Sequence, residues 1–199
     1  MKRLFLVLPA LLLALPSHAE APAENVRGIE VMFAPTGSRR LIQERLAKQI
    51  GSARKQILVA MYQFTSTKLA EALANAHRKG VDVRVLMDGR QVPTGGYARA
   101  FETIEKSGVP IRLVYPDGLV NKNSRKSRAS LPKWHHKFCV IDRAIVTTGS
   151  YNWTVLADEK SHENLILIGD RRVATQFARQ FEDIWKDLKI TELSTEAKK

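Results

Sequence analysis

The stretch from Lys133 to Thr154 reads KWHHKFCVIDRAIVTTGSYNWT. It sets His135, Lys137, Asp142, Gly149, Ser150 and Asn152 in the pattern H-x-K-x4-D-x6-G-S-x-N. An imidazole, an ammonium group, a hydroxyl and a carboxamide are groups suited to phosphodiester chemistry. A histidine nitrogen can attack phosphorus and form a covalent phosphohistidine, dividing one difficult displacement into two easier ones. Lys137 can neutralise the non-bridging oxygens, the electrostatic task that metals perform elsewhere. Ser150 and Asn152 can donate to the same oxygens. Such a site needs no divalent ion, and neither metal nor cofactor is expected.

These residues need a hairpin to bring them together. HHKFCVI is rich in β-branched and aromatic residues and predicts a strand. Alternate side chains share a face, so His135 and Lys137 would lie side by side, with Cα atoms about 6.5–7 Å apart. Phe138 and Val140 on one face, with Cys139 and Ile141 on the other, mark a central strand covered on both sides. Asp142-Arg143-Ala144 predicts a tight turn in which the aspartate bonds its own backbone. AIVTT then returns antiparallel, with Lys137 opposite Gly149 and His135 opposite Tyr151. Gly149 permits close backbone approach. Asp142 falls at the far end, roughly 23 Å from His135 by strand rise, and reads as a framework residue. A lone histidine in a strand is most often structural and a lone lysine solvated; the combination carries the catalytic reading.

Flanking segments supply the frame. Short apolar strands at 29–33, 56–62, 81–88 and 111–114 alternate with helical periodicity at about 39–54, 66–79 and 97–107. Ser38 and Ser66 are candidate N-caps. After the motif come a helix over about 152–160, the strand NLILIG and a helix over about 171–188; the tail TELSTEAKK is expected to fray. This order of elements predicts βαβ units.

Between the fourth strand and the motif lies DGLVNKNSRKSRASLPKW, with Lys122, Arg125, Lys126, Arg128 and Lys133 ending at Trp134. A charge run is usually a solvated loop. Here it abuts the candidate nucleophile and is expected to bind a nucleic-acid backbone, with Trp134 open to stack or pack. The full chain carries +12 at neutral pH. MKRLFLVLPALLLALPSHA has a positive start, an apolar run and an A-x-A-like end, and reads as a secretory signal peptide over 1–19. Residues 20–199 then form one domain, with 30 basic against 20 acidic side chains, a net +10. So basic a secreted protein suggests a polyanionic partner, nucleic acid or an anionic membrane surface. The leader is too short to span a bilayer comfortably, so no stable membrane insertion is expected after cleavage. Cys139 is the sole cysteine, and Cys139, His135, His136 and His162 lack the paired spacing of a zinc site.

The motif resembles the HKD signature of the phospholipase D superfamily. VAMYQFTSTKLAEALANAHRKGVDVRVLMDGRQ resembles that family's N-terminal strand-helix-strand, and Glu163 falls where small bacterial members carry an acidic residue. The resemblance implies an α-β-α sandwich around a mixed, mainly parallel central sheet. It is strongest to short, secreted, EDTA-resistant endonucleases, and implies His135 as nucleophile, Lys137 and Asn152 as phosphate ligands, Ser150 assisting, and Glu163 orienting an imidazole and favouring its charged form. Larger members carry two motifs and this chain one, which implies a homodimer with a shared site. The motif equally permits a phospholipase. A non-enzymatic DNA-binding module is disfavoured by the intact residue set.

Overall fold

The computed structural model describes residues 28–92, 98–123 and 131–194. The leader and Arg125, Lys126 and Arg128 lie outside them. The elements run β1 (Gly28–Ala34), α1 (Leu41–Gly51), β2 (Gln56–Met61), α2 (Thr67–Arg78), β3 (Asp82–Asp88), α3 (Arg99–Lys106), β4 (Ile111–Val114), β5 (Lys137–Ile141), β6 (Ile145–Gly149), α4 (Val155–Glu159), β7 (Glu163–Gly169), α5 (Arg171–Lys186) and β8 (Thr191–Leu193).

The strands form one mixed sheet in the order β1-β7-β6-β5-β2-β3-β4-β8. β2, β3 and β4 are parallel neighbours, as helices returning each strand to the same end require. Antiparallel pairings flank them on both sides. Period-two patterning divides the core. Ile57, Val59, Cys139 and Ile141 face a layer from α1, α2 and α3 that includes Leu46, Leu73 and Ile104. Leu58, Ala60, Phe138 and Val140 face Ala174, Ala178, Phe181 and Ile184 of α5. Each large side chain fully buried contributes about 1.5–3 kcal/mol. The α-β-α sandwich is the expected one.

Several elements depart locally from their sequence reading. α1 begins at Leu41 because Gly37–Arg39 makes a 3-10 turn and Arg40 is left-handed, φ +49°. The N-cap position is Arg40 rather than Ser38, and the Thr36 hydroxyl accepts from Leu41 N–H at 3.0 Å. α4 is shortened to Val155–Glu159, capped by Thr154, which leaves Asn152 outside the helix. Part of the tail does not fray: Thr191–Leu193 pairs antiparallel with β4 and closes that edge.

Candidate active site

The hairpin forms in the expected register. Phe138 pairs with Thr148 and Ile141 with Ile145, so Lys137 continues opposite Gly149. Every residue of β5 is buried, as a strand held between β2 and β6 must be. Gly149 has φ +141°, and a Cβ there would lie 2.3 Å from the Asn164 carbonyl oxygen, so only glycine fits. That closeness lets Asn164 N–H donate to Ser150 Oγ at 3.1 Å, leaving the serine's own hydrogen to donate elsewhere.

Past the hairpin, alternation sorts side chains between core and site. Tyr151 and Trp153 are buried. Trp153 N–H donates to the Gln63 carbonyl at 3.1 Å, and its carbonyl accepts from Thr65 and Ser66 at 2.9 Å. Asp158 holds the following helix: its buried carboxylate accepts from Thr36 Oγ1 at 2.6 Å, Gln43 N–H at 2.8 Å and the Tyr151 hydroxyl at 3.3 Å. Ser150 and Asn152 are left on the other side of this anchored strip. Asn152 Oδ1 is buried without a hydrogen-bond partner among the described residues. An orphaned buried polar atom calls for an explanation, and a ligand is one.

His135 and His136 precede the strand rather than forming part of it, which starts at Lys137. The segment is nevertheless fixed. The His136 carbonyl accepts from Tyr62 N–H at 2.8 Å, and the His135 carbonyl from Lys137 Nζ at 3.1 Å. The His135 ring meets the Tyr62 ring edge-on at 4.5 Å, and Lys137 Nζ sits 5.0 Å above that same ring. Tyr62 therefore brings nucleophile and cation candidates together. His136 and Trp153 bond to consecutive residues, Tyr62 and Gln63, so both halves of the motif converge at the end of β2.

The electrostatics suit a histidine nucleophile. Burial, Lys137 and Lys133 lower the pKa of the exposed His135 ring below its ordinary 6.5, while Asp88 opposes them. The free base, which attacks, is favoured. Lys137 is 8% exposed. Burial lowers its pKa, and Glu163 at the start of β7 works to keep it charged.

Within this chain the Glu163 charge acts on Lys137. Three expectations are corrected. Trp134 is buried among Phe138, Phe181 and their neighbours and packs edge-on against His136, so its ring is not open to a base. Lys122 is tied by a 2.7 Å ion pair to the buried Glu192. Lys133 stays exposed beside His135. Asp142 is a framework residue, but by a different bond from the expected one. Its carboxylate accepts the backbone N–H groups of Arg54 at 2.9 Å, Lys55 at 2.7 Å and Gln56 at 2.9 Å. Asp142 and Arg143 are both left-handed, φ +53° and +51°, as a primed hairpin turn requires. Cys139 is fully buried and its thiol pKa is pushed up, so it is inert.

Tyr62 and Asp88 were not marked as site residues by the sequence. A usable signal existed: they close the runs QILVAMY and VDVRVLMD, at the C-terminal ends of parallel strands, where open α/β sheets place their ligands.

A family model described as "Cardiolipin synthase, PLD-like domain" matches residues 46–185. The chain is similar to the mitochondrial cardiolipin hydrolase of Canis lupus familiaris, 28% identical over 177 residues that cover 89% of this chain and 62% of that protein. It is similar to the Xenopus laevis protein of the same name, 30% identical over 143 residues covering 72% and 60%. The chain thus spans about 60% of the length of these curated relatives. Among solved structures it resembles Nuc from Salmonella typhimurium, a phospholipase D family member, with TM-score 0.67 and 28% identity over 83% of this chain and 96% of that one.

Proposed function

The chain belongs to the phospholipase D superfamily, and on that premise we propose that it is a metal-independent endonuclease that hydrolyses nucleic-acid phosphodiesters with little sequence preference. The observation that carries this reading is the buried Lys137 ammonium packed with His135 around one tyrosine ring. A desolvated fixed cation stabilises a pentacoordinate phosphorane far better than one in water. The net +10 of residues 20–199 and the exposed Lys133 favour a polyanion over a small substrate.

The chemistry runs in two displacements. A free-base ring nitrogen of His135 attacks phosphorus, the bond to the leaving oxygen breaks, and that oxygen takes a proton. Water then attacks the phosphohistidine, loses its proton to the acceptor formed in the first step, and frees the imidazole. Lys137 and the carboxamide of Asn152 hold the non-bridging oxygens. The unpartnered end of that carboxamide can present N–H to phosphate on rotation of the amide. Acid and base duties fall to a second His135, supplied by a partner copy in a homodimer. A single motif per chain supports the dimer. So does an uncovered apolar stripe, Ile29, Val31 and Phe33, that runs along β1 to the register position opposite Asn164. With residues 1–19 read as a signal peptide, the enzyme acts in the periplasm or outside the cell.

A second reading is favoured by the names of the curated relatives: hydrolysis of cardiolipin. No helix among the described residues is long and apolar enough to cross a membrane. Parallel assays in excess EDTA separate the readings. Cleavage of plasmid DNA, with cardiolipin vesicles left intact, is expected. Turnover of cardiolipin alone would replace the nuclease reading with the second.

A further inference from the structure

Asp88 ends β3 and is 2% exposed. One carboxylate oxygen caps the turn that follows, accepting from Arg90 N–H at 2.8 Å. That bond suffices for a local cap. The other oxygen leaves the turn and accepts from Trp134 N–H, also at 2.8 Å. Trp134 is the residue before His135, and its indole is locked in the core against α5. The extended segment 134–136 makes no strand, yet each of its three residues makes a backbone hydrogen bond. Trp134 N–H goes to Asp88, the His135 carbonyl to Lys137, and the His136 carbonyl to Tyr62.

We propose that Asp88 is a positioning residue for the reaction at His135: its carboxylate pins the peptide leading into the nucleophile and turns a negative charge toward the imidazole from β3. This rests on His135 being the nucleophile. A buried carboxylate is costly unless hydrogen-bonded: burial raises the Asp88 pKa, and the two backbone donors and the Arg90 charge work against it in favour of the anion. The charged and titratable groups around the ring come from each neighbouring element: Lys133 from the preceding segment, Lys137 from β5 and Asp88 from β3, with His136 adjoining in the chain. Tyr62, just past β2, packs against the ring, and the Glu163 charge at the start of β7 acts on Lys137. The two lysines disfavour the imidazolium and Asp88 favours it, so Asp88 limits how far the imidazole is driven to its free base.

The test measures kcat and the acid limb of kcat/KM on a chromogenic phosphodiester, bis(p-nitrophenyl) phosphate, in EDTA. The full chain is compared with Asp88→Asn, Asp88→Glu and His135→Ala, and the folded fraction of each is followed by circular dichroism. Asp88→Asn keeps one acceptor oxygen and loses the charge. Its kcat should fall roughly 10- to 100-fold, as small displacements of a reacting group cost, and its acid limb should move to lower pH. Asp88→Glu restores charge but not reach, so its limb should return toward wild type while kcat recovers in part. An Asp88→Asn enzyme with wild-type rate and limb, beside an inactive His135→Ala, would overturn the proposal while leaving the nucleophile intact. So would a loss of rate that follows the unfolded fraction with the limb unmoved. A fully active His135→Ala would instead remove the reading on which it rests.

Discussion

At one end of the β5–β6 hairpin, the Asp142 carboxylate accepts three backbone N–H groups and Arg143 bonds both Gln56 and Glu182. At the other, a buried lysine is held by a carbonyl and a tyrosine face, and an asparagine oxygen has no partner among the described residues. One motif contributes to both ends. At the turn, hydrogen-bonding capacity is used by the protein itself, and the result is rigidity. At the site, positive charge and donor capacity are held in reserve behind well-packed supports, Tyr151, Trp153 and Trp134. The comparison separates residues that hold the hairpin from residues that wait for a phosphate.

Substitutions should split along that line. His135→Ala should reduce turnover in EDTA by about 10⁴-fold or more, since both displacements pass through the ring. Its melting temperature should stay near wild type, as the exposed ring contributes little burial; calorimetry beside single-turnover kinetics checks both. Lys137→Met should cost roughly 10²- to 10³-fold in kcat, the scale of one lost oxyanion donor, without destabilisation, because burying a thioether in place of an ammonium removes a desolvation penalty. Glu163→Gln should lower kcat by roughly tenfold, a rise of about 1.4 kcal/mol in the barrier, with melting lowered less than in the turn variant that follows. Asp142→Asn should do the reverse. Losing acceptor capacity for three N–H groups should cost about 1–3 kcal/mol and lower the melting temperature by roughly 2–10 °C, with kcat of the folded enzyme within about twofold. Equal catalytic loss in the last two variants would erase the distinction between the ends.

The smallest effect concerns pH. The folded-state pKa of His135 is lowered from 6.5, so the attacking free base persists into mild acid. Activity should be lost only as pH falls through that lowered value, placing the acid limb of kcat/KM below 6.5. Lys133→Met removes a neighbouring cation and should move the limb upward. A wild-type limb above 6.5 would reverse the assigned electrostatics.

Local periodicity made the hairpin legible, including the pairing of Lys137 with Gly149, because a register follows from turn length and alternation. It located Asp142 at the turn but not its partners, which lie 86 to 88 residues earlier in the chain. The same limit applies to Asp88, whose second oxygen reaches 46 residues forward to Trp134. Trp134 closes a basic run, and nothing local distinguishes a tryptophan left open for a base from one that enters the α5 core. The polar Thr191–Leu193 becomes a strand because β4 offers it an edge, a tertiary choice that overrides a tail-like composition. Glu163 is placed by resemblance to its family, and that its charge acts on Lys137 is a tertiary relation that no local pattern shows.

Mass spectrometry of the protein, rapidly quenched under non-acidic conditions during DNA turnover in EDTA, looks for the covalent intermediate itself. A phosphoryl-linked DNA fragment attached to His135, absent from His135→Ala, is the predicted result. Turnover that stops on chelation, or an adduct carried by a residue other than His135, would contradict it.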